Sequence, residues 1–408
     1  MGIRRSAPEK WQFQTRFRRG ALGWRASAAG VKRLGEAVTE ICRVARHDPI
    51  RAAEGAILLF GRISPAFEHV DSSSGSLGSA VNRTIDRLVS IVAAAPVDDA
   101  LRAVWLERLW TAFSDDGMGY LDEIGDSWGD LCANPITASA WADRLLPVLT
   151  TCFLAPRGTG GYFHGTTACL SALLKAGRHS ELLEVLERAP FVWWAQRSYG
   201  FAALVAQGQR AEALRYAEAS RESTGNADIA IARACEELLL QSGMADEAYA
   251  RYAITASADE STYLARFRSL TKRYSSKAPS VLLTDLVAST PGDDGKWFAA
   301  AKWAGLFDVA IELANRGPTD PKTLARAARD YLDEQPAFAM ESSLAALRWF
   351  GAGYGFDVIA LDIMKAYDYG WSAAERLGET DAFIARVRAT IAAAGGFVRD
   401  SLRSRIAI

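Results

Sequence analysis

This 408-residue sequence contains no pair of cysteines that could form a Cys-x-x-Cys motif. Its five cysteines are odd in number and lie far apart, at positions 42, 132, 152, 169 and 235. Most of them are set among apolar neighbours, which is typical of buried thiols in a reducing compartment. The sequence therefore predicts free thiols in a cytoplasmic protein and no disulfide framework.

Long apolar runs are missing as well. No segment approaches the roughly 18 consecutive apolar residues that a membrane-spanning helix needs. Charged residues occupy the amino-terminal positions where a secretory signal peptide has its apolar core. We therefore expect neither secretion nor a membrane partner.

Motifs for catalysis and for metal binding are also lacking. The sequence contains no His-Glu-x-x-His, no Gly-x-Ser-x-Gly and no Gly-Lys-Ser/Thr ending of a phosphate loop. The glycine-containing loops at 71–79 and around 355 are weak candidates for phosphate binding without that ending. His164 lies near Cys152 and Cys169, but a fourth zinc ligand or an orienting acid has no definable position. We predict no catalytic residue, no metal and no cofactor.

Hairpin-bounded alternation of apolar and polar residues is absent too, so the sequence predicts no sheet. Helical signals dominate instead. Asp48-Pro49 combines a helix cap with a first-turn proline, and Ser64-Pro65 predicts a second helix start of the same kind. The segment AAEGAILLFG between them is apolar nearly all round, which indicates a buried helix.

The second half of the chain repeats. Four segments align in register: LLKAGRHSELLEVLE (173–187), LVAQGQRAEALRYAE (204–218), LLQSGMADEAYARYA (239–253) and AKWAGLFDVAIELA (301–314). Their aligned glycines are Gly177, Gly208, Gly243 and Gly305, separated by 31, 35 and 62 residues. Because 62 is twice 31, we expect a degenerate copy near residue 274, and the form recurs around Gly378. Each glycine is expected to end the first helix of a hairpin.

This pattern resembles the helix–turn–helix unit of tetratricopeptide-like repeat proteins. The resemblance rests on a turn glycine followed five positions later by a compact apolar residue: Leu182, Ala213, Ala248 and Ala310. It covers 165–320 well and 321–395 loosely, and it lacks the Trp-x-x-Leu-Gly signature and the regular closing proline. The resemblance implies an all-α fold of stacked helical hairpins in a tetratricopeptide-like superhelix. The chain also resembles a bacterial protein family that shares stretches such as KWQFQTRFRR and has no assigned activity, so it implies no function.

The predicted organisation follows from these segments. We expect a less regular helical N-terminal region at 1–155 and the repeat superhelix at 163–408. PRGTGGY (156–162), with one proline and three glycines, is the expected linker.

Charge is unevenly placed, although the whole chain carries only −1. The basic region 1–47 has eleven Lys or Arg and three Glu, a net charge of +8, which leaves −9 for the remainder. The acidic region 109–143 has seven Asp or Glu and no Lys or Arg. Its helical spacing predicts an apolar face opposite an acidic row, Asp122, Asp126 and Asp130. A solvated acidic face is the default interpretation of this row. The basic N-terminal region is the simplest cationic partner for it, and a divalent metal is an alternative without calcium-loop spacing.

The segment WQFQTRFRRGALGWR (11–25) interleaves aromatic residues with arginines. As a helix it places Phe13, Phe17 and Trp24 on one face, so it can serve as an amphipathic cap that seals one end of the repeats. Alternatively, the arginines bind phosphates while exposed rings stack on bases. The candidate nucleic-acid-binding residues are Trp11, Arg16, Phe17, Arg18, Arg19, Trp24 and Arg25.

FVWWAQRSYGF (191–201) concentrates aromatic residues on the first helix of a repeat. In helical-repeat proteins such helices line the concave surface where ligands bind, and aromatic residues are frequent binding hot spots. The candidate partner-binding residues are Trp193, Trp194, Arg197 and Tyr199. The sequence as a whole favours a non-enzymatic binding or scaffold protein with a protein or peptide partner. A nucleic-acid-binding protein is the alternative, and an enzyme is third.

Overall fold

The computed structural model describes residues 10–154, 163–190, 193–224, 227–392, 396–403 and 405–406. The chain divides into two compact units, Met1–Ala227 and Asp228–Ile408. Every regular element among the described residues is helical, which confirms the prediction of an all-α fold of stacked hairpins. The linker expected at 156–162 lies outside the described residues. The helices on either side of it pack together within the first unit.

The described part of the first unit begins with a single 3₁₀ turn, Gln12–Thr15, and continues as a series of α-helices. Its α-helices are α1 (Ser27–Ala45), α2 (Pro49–Phe67), α3 (Ser76–Ala94), α4 (Asp99–Ser114), α5 (Asp122–Asp126), α6 (Trp128–Leu131), α7 (Pro135–Leu154), α8 (Thr166–Lys175), α9 (His179–Glu187), α10 (Trp194–Ala206) and α11 (Arg210–Thr224).

The described part of the second unit contains one π-helical turn, Tyr249–Ala253, and one 3₁₀ turn, Asp294–Trp297. Its α-helices are α12 (Asp228–Gln241), α13 (Ala245–Ala248), α14 (Ile254–Ala256), α15 (Tyr263–Arg273), α16 (Pro279–Ala288), α17 (Phe298–Trp303), α18 (Phe307–Arg316), α19 (Pro321–Asp330), α20 (Pro336–Gly351), α21 (Ala360–Leu377), α22 (Thr380–Ala392) and α23 (Gly396–Leu402). The helix–turn–helix expected near residue 274 is α15 and α16.

The hairpin turns of both units share one geometry. The repeat glycines have left-handed backbone angles, φ between 72° and 77°, at Gly177, Gly208, Gly243, Gly305 and Gly378. In each turn the residue after the glycine donates its N–H to a carbonyl five residues back, as Gln209 does to Leu204 over 2.9 Å. This is the Schellman closure, which needs a residue without a Cβ penalty at the left-handed position. The compact residues five positions after the first four glycines are all fully buried, as predicted.

Helix α2 confirms one predicted start and contradicts the other. The Asp48 carboxylate accepts a hydrogen bond of 3.0 Å from the backbone N–H of Arg51, as a helix cap should. Pro65, however, lies inside α2, which runs on to Phe67, so the prediction of a helix start at Ser64-Pro65 is wrong. Pro65 falls in the last turn, where its missing N–H costs only the bond to the carbonyl of Gly61.

A close crossing of α6 and α8 organises the core of the first unit. The backbone N–H of Gly129 donates to the Ser171 hydroxyl over 2.9 Å, and that hydroxyl donates to the Asp126 carbonyl over 2.8 Å. A Cβ on Gly129 would overlap the backbone carbonyl of Ser171. The two helices can therefore approach this closely only because residue 129 is glycine.

The second unit contains a buried polar network among α12, α15 and α16. The Glu236 carboxylate is 2 % exposed and accepts hydrogen bonds from Arg273 at 2.5 Å and from the Tyr274 hydroxyl at 2.6 Å. The Tyr249 ring packs edge-on against Tyr274, with 5.1 Å between centroids, and its hydroxyl donates to Asp285. Burial and the Glu236 carboxylate raise the pKa of Tyr274, so its hydroxyl remains a donor. Both carboxylates of this network accept hydrogen bonds, which offset part of the free-energy cost of removing them from water.

We expect Gly129→Ala to lower the free energy of unfolding by about 1–3 kcal/mol, since the added methyl overpacks the α6–α8 crossing. Gly78→Ala is the matched control, because a Cβ at that helical position meets nothing within 4 Å. The control should be neutral or more stable by up to about 1 kcal/mol. Urea unfolding followed by circular dichroism measures both, and equal stability of the two variants would contradict the close crossing.

Candidate partner-binding surfaces

The N-terminal segment (residues 10–25) is not the long helix that its aromatic spacing predicts. It forms one 3₁₀ turn, Gln12–Thr15, followed by turns up to the start of α1. Gly20 has a φ of 66°, which ends any helical continuation. The segment is instead an irregular, non-helical stretch that packs on α1 and α2.

Three aromatic side chains anchor the N-terminal segment in the core. Trp11, Phe13 and Phe17 are 9 %, 2 % and 1 % exposed. The Trp11 indole lies directly on Gly55 of α2, where a Cβ would come within 2.5 Å of the ring. Among the candidate nucleic-acid-binding aromatics, Trp11 and Phe17 therefore have no free face for a base, while Trp24 is 67 % exposed.

Carboxylates of α1 hold the start of the segment. Glu40 accepts hydrogen bonds from the backbone N–H groups of Gln12 (2.9 Å) and Phe13 (3.3 Å), so it caps the 3₁₀ turn from a distant position. Glu36, one turn earlier, forms an ion pair with Arg16. Both acids of α1 are therefore engaged by the segment that lies on it.

Two arginines, Arg33 of α1 and Arg62 of α2, donate hydrogen bonds to backbone carbonyls in the rest of the segment. The carbonyls bound are those of Gln14 and Phe17 for Arg62, and those of Arg16 and Ala21 for Arg33. The donor–acceptor distances lie between 3.1 and 3.5 Å. These contacts fix the course of a segment that has little regular structure of its own.

The four candidate arginines of the segment have different surroundings. Arg16 pairs with Glu36, and Arg19 pairs with Glu68 at 3.1 Å. The hydrogen bond and charge of Arg19 hold the pKa of Glu68 below its usual range. Arg18 bonds the carbonyl of Thr15 at 3.0 Å, and Arg25 is exposed. Arg18 and Arg25 are thus the two candidate arginines without a carboxylate partner among the described residues.

The acidic row finds its partners in the neighbouring hairpin helices. Asp122 contacts His164 at 2.9 Å, Asp126 accepts from the Tyr199 hydroxyl at 3.1 Å, and Asp130 pairs with Lys175 at 3.1 Å. The expectation that the basic N-terminal region neutralises this row is wrong. Among the described residues, Arg16 and Arg19 of that region pair with Glu36 and Glu68, whereas α5 and α6 pack against α8.

The apolar face opposite the acidic row is confirmed, because Leu121, Ile124, Trp128 and Leu131 are all fully buried. Burial, followed by the nearby carboxylates of Asp86 and Asp126, raises the pKa of Glu123. Burial likewise raises the pKa of Asp126 against the opposing effect of its hydrogen bond from Tyr199. The acidic region is therefore tied into the packing of the first unit.

His164 lies between an aromatic ring and a carboxylate. Its ring packs on Phe113, with 4.0 Å between centroids, and its Nε2 contacts Asp122. Cys169 is buried, and burial raises the pKa of its thiol to about 12. No group of three or more His, Cys, Asp or Glu residues with a metal-binding arrangement occurs in the part of the chain that the structure describes.

The candidate partner-binding residues at 193–199 are only in part surface residues. Trp193, just before α10, is 51 % exposed, and Trp194 is buried. The Arg197 guanidinium stacks on the Tyr216 ring at 3.8 Å and donates to the Ser220 hydroxyl at 3.0 Å. Tyr199 points at Asp126. Three of the four side chains thus hold α10 against its neighbours, and Trp193 carries the exposed apolar area.

The loop around residue 355, considered above only for phosphate binding, exposes a set of apolar side chains at residues 352–361 (the apolar loop). It starts like the other hairpin turns: Gly353 has a φ of 84°, and the N–H of Tyr354 bonds the Trp349 carbonyl at 3.0 Å. In the five repeat turns the second helix begins two residues after the glycine, but here α21 begins seven residues after it. The apolar loop is therefore an insertion into a regular turn.

The apolar loop has a defined backbone. Gly355 has a φ of 106°, and Asp357, a non-glycine residue, has a φ of 46°. The Lys322 ammonium donates to the Asp357 carbonyl at 2.8 Å and pairs with Asp362 at 3.2 Å. Left-handed backbone at a non-glycine residue costs free energy and persists only where surrounding contacts enforce it.

The apolar loop turns its large side chains outward. The exposed fractions are 85 % for Phe356, 56 % for Ile359, 47 % for Leu361 and 44 % for Tyr354. The Tyr354 ring also packs edge-on against Trp349, with 5.1 Å between centroids. The signal available in the sequence was four large apolar residues in a turn insertion, GYGFDVIAL, where solvated turns carry polar residues.

We expect Phe17→Ala to lower the free energy of unfolding by about 3–5 kcal/mol, because it leaves a cavity under the N-terminal segment. Trp24→Ala should change it by less than about 0.5 kcal/mol, since that side chain is mostly solvated. Guanidinium unfolding of the full chain measures both. Equal effects would contradict the opposite burial of these two residues.

No helix among the described residues is long and apolar enough to cross a membrane. No protein-family model matches the chain. No curated protein is similar to it in sequence. Among solved structures, a chain from the crystal structure of the APC/C hetero-tetramer Cut9-Hcn1 is similar, with 12 % identity and a TM-score of 0.22. The match covers 90 % of this chain and 87 % of that one. At that TM-score the all-α assignment rests on the helices described above.

Proposed function

We propose that this protein is a non-enzymatic binding protein that presents a surface of helical hairpins to a protein partner. The observation that carries the proposal is the apolar loop, where a five-residue insertion relative to the other turns exposes Phe356 at its tip. Loops positioned by a rigid scaffold commonly carry binding function. We further propose, from the free cysteines, that the protein acts in the cytoplasm.

The energetics of the apolar loop suit a binding contact. Burying an exposed phenylalanine or leucine side chain contributes about 1.5–3 kcal/mol each. A loop that is already ordered loses less conformational entropy when it binds. The contacts of Lys322 and the left-handed positions supply that order before any partner arrives. Phe356 and Ile359 would then be the anchors that fill an apolar groove of the partner.

A second contact at Trp193 belongs to the same proposal. Trp193 has about half of its side chain exposed at the start of α10. The neighbouring Trp194, Arg197 and Tyr199 would act by fixing α10, and with it the position of the Trp193 indole. This assignment keeps the partner-binding role expected for the four residues but divides it between one contact residue and three supporting ones.

We expect Phe356→Asp to leave folding intact and to weaken binding of the partner. The ring is 85 % exposed, so its loss takes no support from the core. The measurement is quantitative affinity capture with the full chain, followed by titration of each captured protein against wild type and variant. A partner that uses the apolar loop should bind the variant at least about tenfold more weakly, the equivalent of one lost anchor.

Ile136→Asp is the matched control for this experiment. Ile136 is 84 % exposed in the first turn of α7, so the same change of charge and polarity is made at an isolated surface position. The control should bind like wild type. If every captured protein binds both variants equally well, the assignment of partner binding to the apolar loop is wrong.

Nucleic-acid binding is the alternative function, and one observation favours it. Trp24 is 67 % exposed and is followed directly by the exposed Arg25. A stacking ring beside a cation is the minimal element of single-strand binding. Trp11 and Phe17 would then support this site from the core, and Arg16 and Arg19 would support it through their ion pairs.

If nucleic acid is the ligand, Arg18→Glu combined with Arg25→Glu should weaken binding of a labelled oligothymidine by about tenfold or more and reduce its salt dependence. Fluorescence anisotropy across a salt series measures this. Arg188→Glu with Arg210→Glu makes the same change of charge at other exposed positions of the first unit. No binding by wild type at low salt, or equal weakening in both double variants, would exclude this alternative.

A further inference from the structure

A groove runs between the N-terminal segment and α1, with a volume of about 530 Å³. It exists because the segment lies beside α1 rather than continuing it, and because α1 carries Gly35 at the groove. A Cβ at Gly35 would meet nothing within 4 Å, so the space above this residue in the groove is empty of protein atoms. We call this the basic groove.

Charge in the basic groove is one-sided once its internal contacts are considered. Its lining includes four cations, Arg16, Lys32, Arg33 and Arg43, and two acids, Glu36 and Glu40. Both acids are engaged: Glu36 by Arg16, and Glu40 by two backbone N–H groups. Arg33 is bound to neutral carbonyls, and Lys32 and Arg43 lie exposed at the surface. The groove therefore has an excess of two positive charges that no carboxylate at the site neutralises.

We propose that the basic groove binds an acidic, extended peptide segment of a partner protein. Lys32 and Arg43 are eleven residues apart on α1, or about 16 Å at 1.5 Å per residue. An extended peptide of about five residues covers that distance. Carboxylates near the two ends of such a peptide can reach Lys32 and Arg43, while neutral residues between them lie along Glu36 and Glu40.

The same features disfavour nucleic acid in this groove. Phe13 is the aromatic residue of the lining and is 2 % exposed, so it offers bases no stacking face. Glu36 and Glu40 in the wall would repel a continuous phosphate backbone. This site is separate from the apolar loop, so its failure would leave the proposed function of that loop untouched.

The test is fluorescence anisotropy with the full chain and a fluorescein-labelled peptide of about eight residues, which has glutamates near its two ends and alanines between them and is longer than the groove. Lys32→Glu with Arg43→Glu should weaken binding by about tenfold, because two attractions become repulsions. Binding should also weaken as salt is added. Arg188→Glu with Arg210→Glu is the control of equal charge and should bind like wild type.

Three results would overturn the proposal. The first is no binding of the peptide by wild type at low salt. The second is equal weakening in both double variants, which would indicate attraction to net charge alone. The third is tighter binding of labelled oligothymidine than of the peptide with the same loss in Lys32→Glu/Arg43→Glu, which would make the groove a nucleic-acid site. Circular dichroism of each variant confirms that the helices remain.

Discussion

The ends of helices are the constraint on which this structure depends. An α-helix leaves its last four carbonyl groups without intrahelical donors, and a chain built of many short helices must satisfy them repeatedly. The repeat turns do this locally: a left-handed glycine lets the next N–H reach back to the preceding helix. The helix that follows starts at once, and a fully buried small residue such as Ala213 or Ala310 lets it pack closely. One backbone requirement thus sets turn length, glycine position and interhelical distance together.

Where no glycine turn is present, arginine performs the same task from a distance. Arg102 is 4 % exposed and donates to the carbonyls of Val92 and Ala95 at the end of α3, over 2.5 and 2.8 Å. Arg266 and Arg348 likewise reach carbonyls near the ends of α14 and α18. A guanidinium carries five donors in a fixed plane and stays protonated, so it can bond several carbonyls at once where lysine cannot. Arginine is therefore suited to this structural role, and 38 of the 47 basic residues of the chain are Arg.

The features that the sequence predicts correctly are those that depend on residues close together in the chain. The hairpins were predictable because glycine and its compact partner lie five residues apart, within one pattern. The course of the N-terminal segment was not, because it depends on Gly55, Arg62 and Glu68, which lie 44 to 49 residues from Trp11, Gln14 and Arg19. The spacing of Trp11 and Phe17 does not distinguish burial in the core from exposure for base stacking. Both arrangements place aromatic residues beside arginines. The partners of Asp122, Asp126 and Asp130 were misassigned for the same reason. His164, Tyr199 and Lys175 lie 42 to 73 residues further along the chain and reach these acids only through the fold.

Two of the proposed binding surfaces, the apolar loop and the basic groove, lie where the regular pattern of helical hairpins is interrupted. At Gly353 the turn closes as elsewhere, but α21 begins five residues later than the second helix of the other hairpins does. The inserted residues include Phe356 and apolar neighbours. Structure alone does not need this insertion, because Gly378 closes the next turn without one. At the amino terminus, carbonyls of an irregular segment are bound by arginines of α1 and α2, which leaves an unfilled groove and surplus positive charge beside it. Regular hairpins repeat the same turn, so we propose recognition at the positions where that regularity is interrupted and the exposed chemistry is distinctive.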